Sequence, residues 1–202
     1  MNPTNQALPR LRGPVLIVIH WTSCVFLLAG LLAAAYAGYL IADAHIYQTI
    51  QLRRFDHRAL LSEPHVPIIG EVLGAIEIPR LTLKAVILHG NSSVILRRGV
   101  AHLPETAMPG EWGNVVLAGH RDTFFRSLRA IRPGDVIRLR ANVGTIEYTV
   151  ESIQVVSPTN VQVLEPSTSR SLTLITCFPF DYVGAAPNRF IVRAEQTSAV
   201  RE

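Results

Sequence analysis

The chain has 202 residues, enough for one domain of ordinary size and an appendage. Its net charge of +4 is modest, and no Lys/Arg-rich run is interleaved with aromatic residues, so we expect no nucleic-acid partner. The two cysteines, Cys24 and Cys177, form no Cys-x-x-Cys motif and no zinc-type spacing with histidine, which argues against a redox dithiol and a structural zinc site. We therefore expect neither a metal nor a cofactor.

The N-terminal part of the chain is strongly apolar. No Asp, Glu, Lys or Arg occurs from Gly13 to Ala42, and a bilayer needs only about 20 apolar residues. This pattern predicts a transmembrane anchor over residues 14–42, preceded by a cytoplasmic N-terminus over residues 1–13. A cleaved signal peptide is the competing interpretation, because Ala35-Tyr36-Ala37 resembles a cleavage site. The apolar run exceeds the roughly 7–15 residues of a signal h-region, which favours a retained anchor.

The region after the anchor reads as a connector. Residues 43–69 are assigned to a juxtamembrane linker whose first half could extend the membrane helix, whereas Pro64 and Pro67 favour an extended chain. Arginines occur on both sides of the anchor, so the positive-inside bias is weak. We place the short N-terminus in the cytoplasm and the large C-terminal part outside.

From residue 70 onward the pattern is mainly β. Ser92 or Ser93 caps a predicted short helix that Gly99 ends, and a second helical turn is predicted over residues 122–128. Short strands separated by turn signals indicate a closed or nearly closed barrel over residues 70–197, with a C-terminal tail over 198–202. The predicted strands are 72–78, 81–88, 114–120, 136–139, 146–150, 153–156, 171–177 and 189–194.

Three residues at strand ends suit thiol chemistry. Cys177 closes the run Leu172–Thr176, His120 closes another apolar run, and Arg189 opens the last strand. A thiolate is the reactive form of cysteine, and neighbouring positive charge favours it. Each residue alone has a commoner structural role, as a buried small side chain or a surface charge. Their combination indicates a thiol acyl-transfer site.

The surrounding residues make the interpretation specific. The segments Ala118-Gly119-His120-Arg121-Asp122-Thr123-Phe124-Phe125 and Thr173-Leu174-Ile175-Thr176-Cys177-Phe178-Pro179-Phe180 resemble the two signature blocks of the sortase family, and Arg189-Phe190-Ile191-Val192-Arg193-Ala194 resembles the third. The resemblance runs from about residue 72 to 194, and is closest to class D sortases and similar enzymes of Gram-negative bacteria. One departure is Ala101, where the family pattern has glycine before His102.

The resemblance implies an eight-stranded sortase-type β-barrel and a cysteine transpeptidase. It makes Cys177 the nucleophile that attacks the carbonyl after threonine in an LPxTG-like sorting signal and forms a thioacyl enzyme. His120 then protonates the leaving amine and later deprotonates the incoming one, since an imidazole can serve as both acid and base. Arg189 holds the substrate carbonyl or stabilises negative charge. Thr176 either lines the substrate site or only supports the strand.

The remaining residues near the blocks carry weaker expectations. Arg121 and Asp122 either orient His120 or cap the next helical turn, with the cap preferred for Asp122. His102 is expected to be structural. The loop over residues 157–169 corresponds to a family loop that contacts the sorting signal.

The implied partners are a protein with an LPxTG-like C-terminal signal, an amine acceptor (a peptidoglycan precursor or another protein amine), and membrane lipid around the anchor. The implied location is the bacterial cytoplasmic membrane, crossed once, with the catalytic domain on the extracytoplasmic side. Two alternatives stay open at this point. One is a thiol peptidase or hydrolase on the same fold, and the other is a non-catalytic, membrane-anchored β-barrel binding module with a buried, inert Cys177.

Overall fold

The computed structural model describes residues 13–58 and 66–200, so most of the predicted N-terminus, residues 59–65 of the predicted linker and the last two residues lie outside the described residues. The first element is the helix α1, Gly13–Arg58. Within it, Ile17–Tyr39 is long and apolar enough to cross a membrane, judged by length and composition. This is consistent with the predicted anchor. The helix continues beyond residue 42, the predicted end of the anchor. The bounds of the anchor and of the linker stay predictions.

The second compact unit, residues 44–202, contains a closed barrel of eight strands, as predicted. The strand order around the barrel is β1-β2-β3-β4-β7-β8-β6-β5. The strands are β1 Val72–Ile78, β2 Leu83–His89, β3 Val100–His102, β4 Gly113–Ala118, β5 Val136–Ala141, β6 Gly144–Val156, β7 Arg170–Phe178 and β8 Asn188–Val200.

The helical pieces that follow α1 are short. The helix α2, Ser93–Arg98, has Ser92 as its N-cap and Gly99 as its C-cap, which confirms the predicted helix and its ends. Three 3₁₀ helices, Pro79–Leu81, Arg126–Ala130 and Gln162–Leu164, lie in the connections. The helical turn predicted over 122–128 is displaced to Arg126–Ala130, where no side chain caps it, so Asp122 is not its cap.

Alternation along the strands fills the barrel with aliphatic side chains. Strands in a barrel point successive residues to opposite faces, so every second residue enters the interior. The core contains Leu172 and Leu174 of β7 together with Val192 and Ala194 of β8. Phe125, in the segment after β4, packs in the same core. The burial of these side chains supplies the main stabilisation of the domain. The largest fully buried side chains are Tyr148, Phe125, Ile76, Ile78, Ile87, Leu88, Leu117, Leu128, Ile137, Leu139, Ile146 and Leu172.

The last part of α1 lies on this barrel. The Gln48 side chain is buried; its Oε1 accepts a hydrogen bond from the Val86 backbone N–H at 2.8 Å, and its Nε2 donates to the Arg98 carbonyl. The Arg98 guanidinium lies over the Tyr47 ring, 5.2 Å from its centroid. The helix therefore contributes residues to the compact unit that contains the barrel, after its apolar stretch has ended.

Candidate active site

Cys177 and Arg189 face each other across two adjacent strands. β7 and β8 are antiparallel, and their register pairs Cys177 with Arg189 and Ile175 with Ile191. Leu174 packs in the core, whereas Ile175 lines the outer surface of the barrel, so the alternation puts Cys177 on the outer face as well. The thiol is free and partly exposed. The structure thus brings together two of the three predicted catalytic residues.

His120 lies at the same edge of the barrel. β4 and β7 are parallel, and their last pair is Ala118 with Ile175. The Gly119 backbone N–H donates to the Ile175 carbonyl at 3.1 Å, which carries the pairing one residue further. Parallel strands end at the same edge of a sheet. His120 comes two residues after Ala118, and Cys177 comes two residues after its partner Ile175, so both lie at this edge.

Thr176 occupies the layer beneath these residues. Its side chain is buried, and its hydroxyl donates a hydrogen bond to the Gly119 carbonyl at 2.7 Å. This bond joins the residue before the cysteine to the residue before the histidine. A substrate contact for Thr176 stays a prediction; the contact that the structure describes supports the strands.

The Arg189 guanidinium is held locally. Its Nη1 donates to the Asn188 carbonyl at 3.0 Å and lies 3.3 Å from the Ala186 carbonyl, which also accepts from it. In the described part of the chain, Cys177 Sγ makes no hydrogen bond with His120 or Arg189. Catalytic hydrogen bonds are often long before substrate binds, so this arrangement is compatible with chemistry at the thiol.

A groove of about 260 Å³ leads to Arg189. Its floor consists of outward-facing side chains of three neighbouring strands, Ala118, Ile175 and Ile191, and its wall is formed by residues 156–164. The floor is apolar and Arg189 supplies a charge at one end. Such a surface suits an extended peptide with a small number of apolar side chains and a carbonyl near the cation.

Asn114 holds the wall of this groove in place. Its Nδ2 donates to the carbonyls of Val163 and Glu165 at 3.1 and 3.2 Å, and its Oδ1 accepts from the Thr173 hydroxyl at 2.7 Å. The side chain is buried, so these bonds are shielded from water. An asparagine at the start of an otherwise apolar strand, Asn114-Val115-Val116-Leu117, is the sequence signal for such a role.

Two arginines near the site were not identified as site residues from the sequence. Arg121 donates to three backbone carbonyls of residues 179–187, the connection between β7 and β8. Arg129 pairs with Asp181 of the same connection at 2.6 Å. Arg121 was expected to orient His120 or to cap a helix, and its described hydrogen bonds instead go to this connection.

His102 is structural, in keeping with its expected role. It is fully buried, its ring stacks on that of His89, and the two Nδ1 atoms are 3.2 Å apart. Its Nε2 lies 2.9 Å from the Ala107 carbonyl; because a carbonyl only accepts, Nε2 carries the proton. Burial lowers the pKa of His102, so the ring is held neutral.

No group of three or more His, Cys, Asp or Glu side chains is placed to hold a metal ion within residues 13–58 and 66–200.

Comparison with known proteins identifies the family. The family model for the Sortase domain matches residues 76–197, so the chain belongs to the sortase family of transpeptidases. It is 29% identical over 187 residues to sortase D of Bacillus subtilis (strain 168), which covers 84% of this chain and 94% of that protein. It is 28% identical to sortase A of Staphylococcus aureus (strain NCTC 8325 / PS 47), over 78% of this chain and 88% of that one.

Solved structures agree with this assignment. The Clostridium perfringens sortase D5 transpeptidase superposes with a TM-score of 0.67 and 26% identity, covering 75% of this chain and 99% of that chain. Sortase E from Streptomyces avermitilis gives a TM-score of 0.58 and 28% identity, covering 67% of this chain and 93% of that one. The predicted family, the predicted barrel and the resemblance to class D are therefore confirmed.

Proposed function

We propose that this protein is a membrane-anchored cysteine transpeptidase that uses Cys177, His120 and Arg189 on an LPxTG-like sorting signal. The observation that carries the proposal is the cross-strand pair of Cys177 and Arg189 beside the end of β4, in a chain of the sortase family. The catalytic domain is assigned to residues 70–197. The substrate peptide lies along the apolar groove with its reacting carbonyl toward Arg189.

The proposed reaction has two steps. The Cys177 thiolate attacks the carbonyl carbon of the threonine; a C–S bond forms, the C–N bond to the next residue breaks, and His120 gives a proton to the departing amine. An acceptor amine then attacks the thioester, His120 takes its proton, and the thiolate leaves. Arg189 stabilises the oxyanion in both steps without transferring a proton. The product is a new amide on an acceptor such as a peptidoglycan precursor or another protein.

The proposed location is the bacterial cytoplasmic membrane, with one crossing and the catalytic domain outside. The helix Ile17–Tyr39 supports the crossing by its length and composition. A membrane-impermeant maleimide applied to intact cells tests the orientation. Labelling of Cys177 is expected, and protection of Cys177 until the cells are lysed would contradict it.

The test of the activity uses the full-length chain in detergent, an LPxTG-type peptide, and triglycine or diaminopimelate as acceptor. Mass spectrometry is expected to detect an acyl adduct on Cys177 that resolves to an amide. Cys177→Ala is expected to form no adduct, whereas Cys24→Ala, which removes the other cysteine of the chain, is expected to react normally. An adduct that resolves only to the acid would indicate a hydrolase. A wild-type chain without any adduct would favour the binding module.

A further inference from the structure

The connection between β7 and β8, residues 179–187, joins the strand of the thiol to the strand of the guanidinium. Cys177 lies just before it and Arg189 just after it. Much of it is exposed, including Val183, which is 95% exposed. The pairing of β7 with β8 ends at Phe178 and Asn188, so the ladder of these two strands does not hold the backbone of residues 179–187.

Arg121 provides an anchor for this segment through the main chain. Its Nη1 donates to the Pro179 carbonyl at 2.9 Å, and its Nη2 donates to the carbonyls of Tyr182 and Gly184 at 2.7 and 3.0 Å. The guanidinium also lies over the Tyr182 ring, 5.8 Å from its centroid. A planar fork of fixed donors suits this task, because three carbonyls are engaged at once by one rigid group.

A second set of contacts holds the base of the same connection. Phe180 packs on Phe178 and Phe190, with ring centroids 6.0 and 5.1 Å away. Arg129 binds Asp181 at 2.6 Å and lies 5.8 Å from the centre of the Phe180 ring. The aromatic contacts hold Phe180 against β7 and β8, whereas Arg121 binds the main chain at the first residue and in the middle of the connection.

We propose that Arg121 is a positioning residue for the transfer reaction: by binding three carbonyls of residues 179–187, it holds this connection in place and keeps the Cys177 and Arg189 side chains placed next to His120. This inference rests on the proposed function. Arg121 follows His120 directly in the chain, so the segment that presents the imidazole also holds the connection between the other two groups. Displacement of this segment therefore disturbs all three residues together.

The test compares Arg121→Ala and Arg121→Lys with the matched control Arg126→Ala, all as full-length chains in detergent. The Arg126 side chain is exposed and makes no hydrogen bond or ion pair with any residue that the structure describes. Two quantities are measured for each variant. One is the rate at which chymotrypsin cleaves after Phe180 or Tyr182 in the connection, and the other is kcat and KM for transfer of an LPxTG-type peptide to triglycine.

For Arg121→Ala, cleavage within residues 179–187 is expected to become faster while β4, β7 and β8 stay uncleaved. The value of kcat is expected to fall about 100-fold, since a misplacement near 1 Å costs about that much, and KM to change far less. Arg121→Lys is expected to recover only part of kcat, because an ammonium is a point charge without the planar fork. Arg126→Ala is expected to match the wild type.

Three results would overturn the inference. An unchanged rate of cleavage in Arg121→Ala would mean that the contacts do not hold the connection. Faster cleavage with an unchanged kcat would make the contacts structural only. A wild-type chain that forms no thioester would refute the proposed function and the positioning role with it, and this case is recognised because the wild type itself fails.

Discussion

The hydroxyl of Thr176 and the carbonyl of Gly119 form a buried hydrogen bond of 2.7 Å that connects the strand of the thiol to the strand of the imidazole. Both residues stand one position before a proposed catalytic residue, and β4 and β7 are parallel there. The bond lies just beneath the site and outside the solvent. It fixes the spacing of the thiol and the imidazole, which act on the same substrate bond in the proposed reaction.

Replacement of Thr176 by Val tests this bond. Valine keeps the shape of the side chain and removes the donor, so the Gly119 carbonyl loses a buried partner, which costs about 1–3 kcal/mol. Thr176→Ser, which keeps the hydroxyl, is the control. Denaturant unfolding of the barrel domain in the full chain is the measurement. Equal stability of the valine and serine variants would contradict the role of the hydrogen bond.

Gly119 is required by close packing. A Cβ at this position would meet the Phe125 ring at 2.8 to 3.1 Å, and Phe125 is fully buried. Because the ring has no free space to move into, Gly119→Ala is expected to cost about 1–3 kcal/mol, as overpacking does. If Phe125→Leu is added to Gly119→Ala, the double variant should lose less stability than the two single variants lose together. Strict additivity in this double-mutant cycle would rule the clash out.

Arg189 has a matched control on its own strand. Replacement by Lys retains the charge but removes the planar fork, and kcat for peptide transfer is expected to fall about 100-fold or more, as when an oxyanion donor is lost. Arg193→Lys changes the same residue type four positions along, on the same face of β8, opposite Thr173. This control is expected to keep wild-type kcat. A similar loss in both variants would point to strand stability instead of charge placement.

His102 predicts an acid-sensitive component of stability. Burial lowers its pKa in the folded protein, His89 adds to the lowering, and Glu111 and the Ala107 carbonyl oppose it. The unfolded chain therefore binds a proton at a higher pH than the folded chain does. Stability should fall as pH drops from about 7 toward 5 through the ordinary histidine range.

The measurement is the thermal midpoint as a function of pH. In His102→Gln the side-chain amide can still donate to the Ala107 carbonyl, but it does not titrate. The variant should be less stable at neutral pH. Its stability should also lose the part of the pH dependence that His102 contributes. An unchanged slope would assign the acid sensitivity to other groups.

Elements with strong local signals were predicted well from sequence. The strand over 72–78 was predicted at its observed bounds, and the short helix was recognised through Ser92 and Gly99, because a cap is a local pattern. β3, Val100–His102, was missed, since three residues carry no periodicity and the strand exists through parallel pairing with β2. β6 was predicted as two strands, and β8 extends beyond the predicted end at residue 194. Both strands lengthen through pairing with each other.

The residues of the candidate site differ in the same respect: some carry a local sequence signal and others do not. Cys177, His120 and Arg189 were singled out because a reactive residue type stands at the end of an apolar run, which the sequence displays directly. Arg121 was not recognised as an anchor, since its three acceptors are main-chain carbonyls about 60 positions away. Main-chain carbonyls look the same at every residue, so no side-chain pattern marks them.

Because Arg121 binds main-chain carbonyls, the side chain at the tip of the β7–β8 connection is free to change during evolution. Arg121 recognises the path of the main chain at Tyr182 and Gly184, and Val183 between them projects almost entirely into solvent. The side chain at position 183 can therefore change without loosening the anchor. A surface beside the site could thus acquire new sequence, and with it new selectivity, while the geometry of the reacting groups is inherited intact.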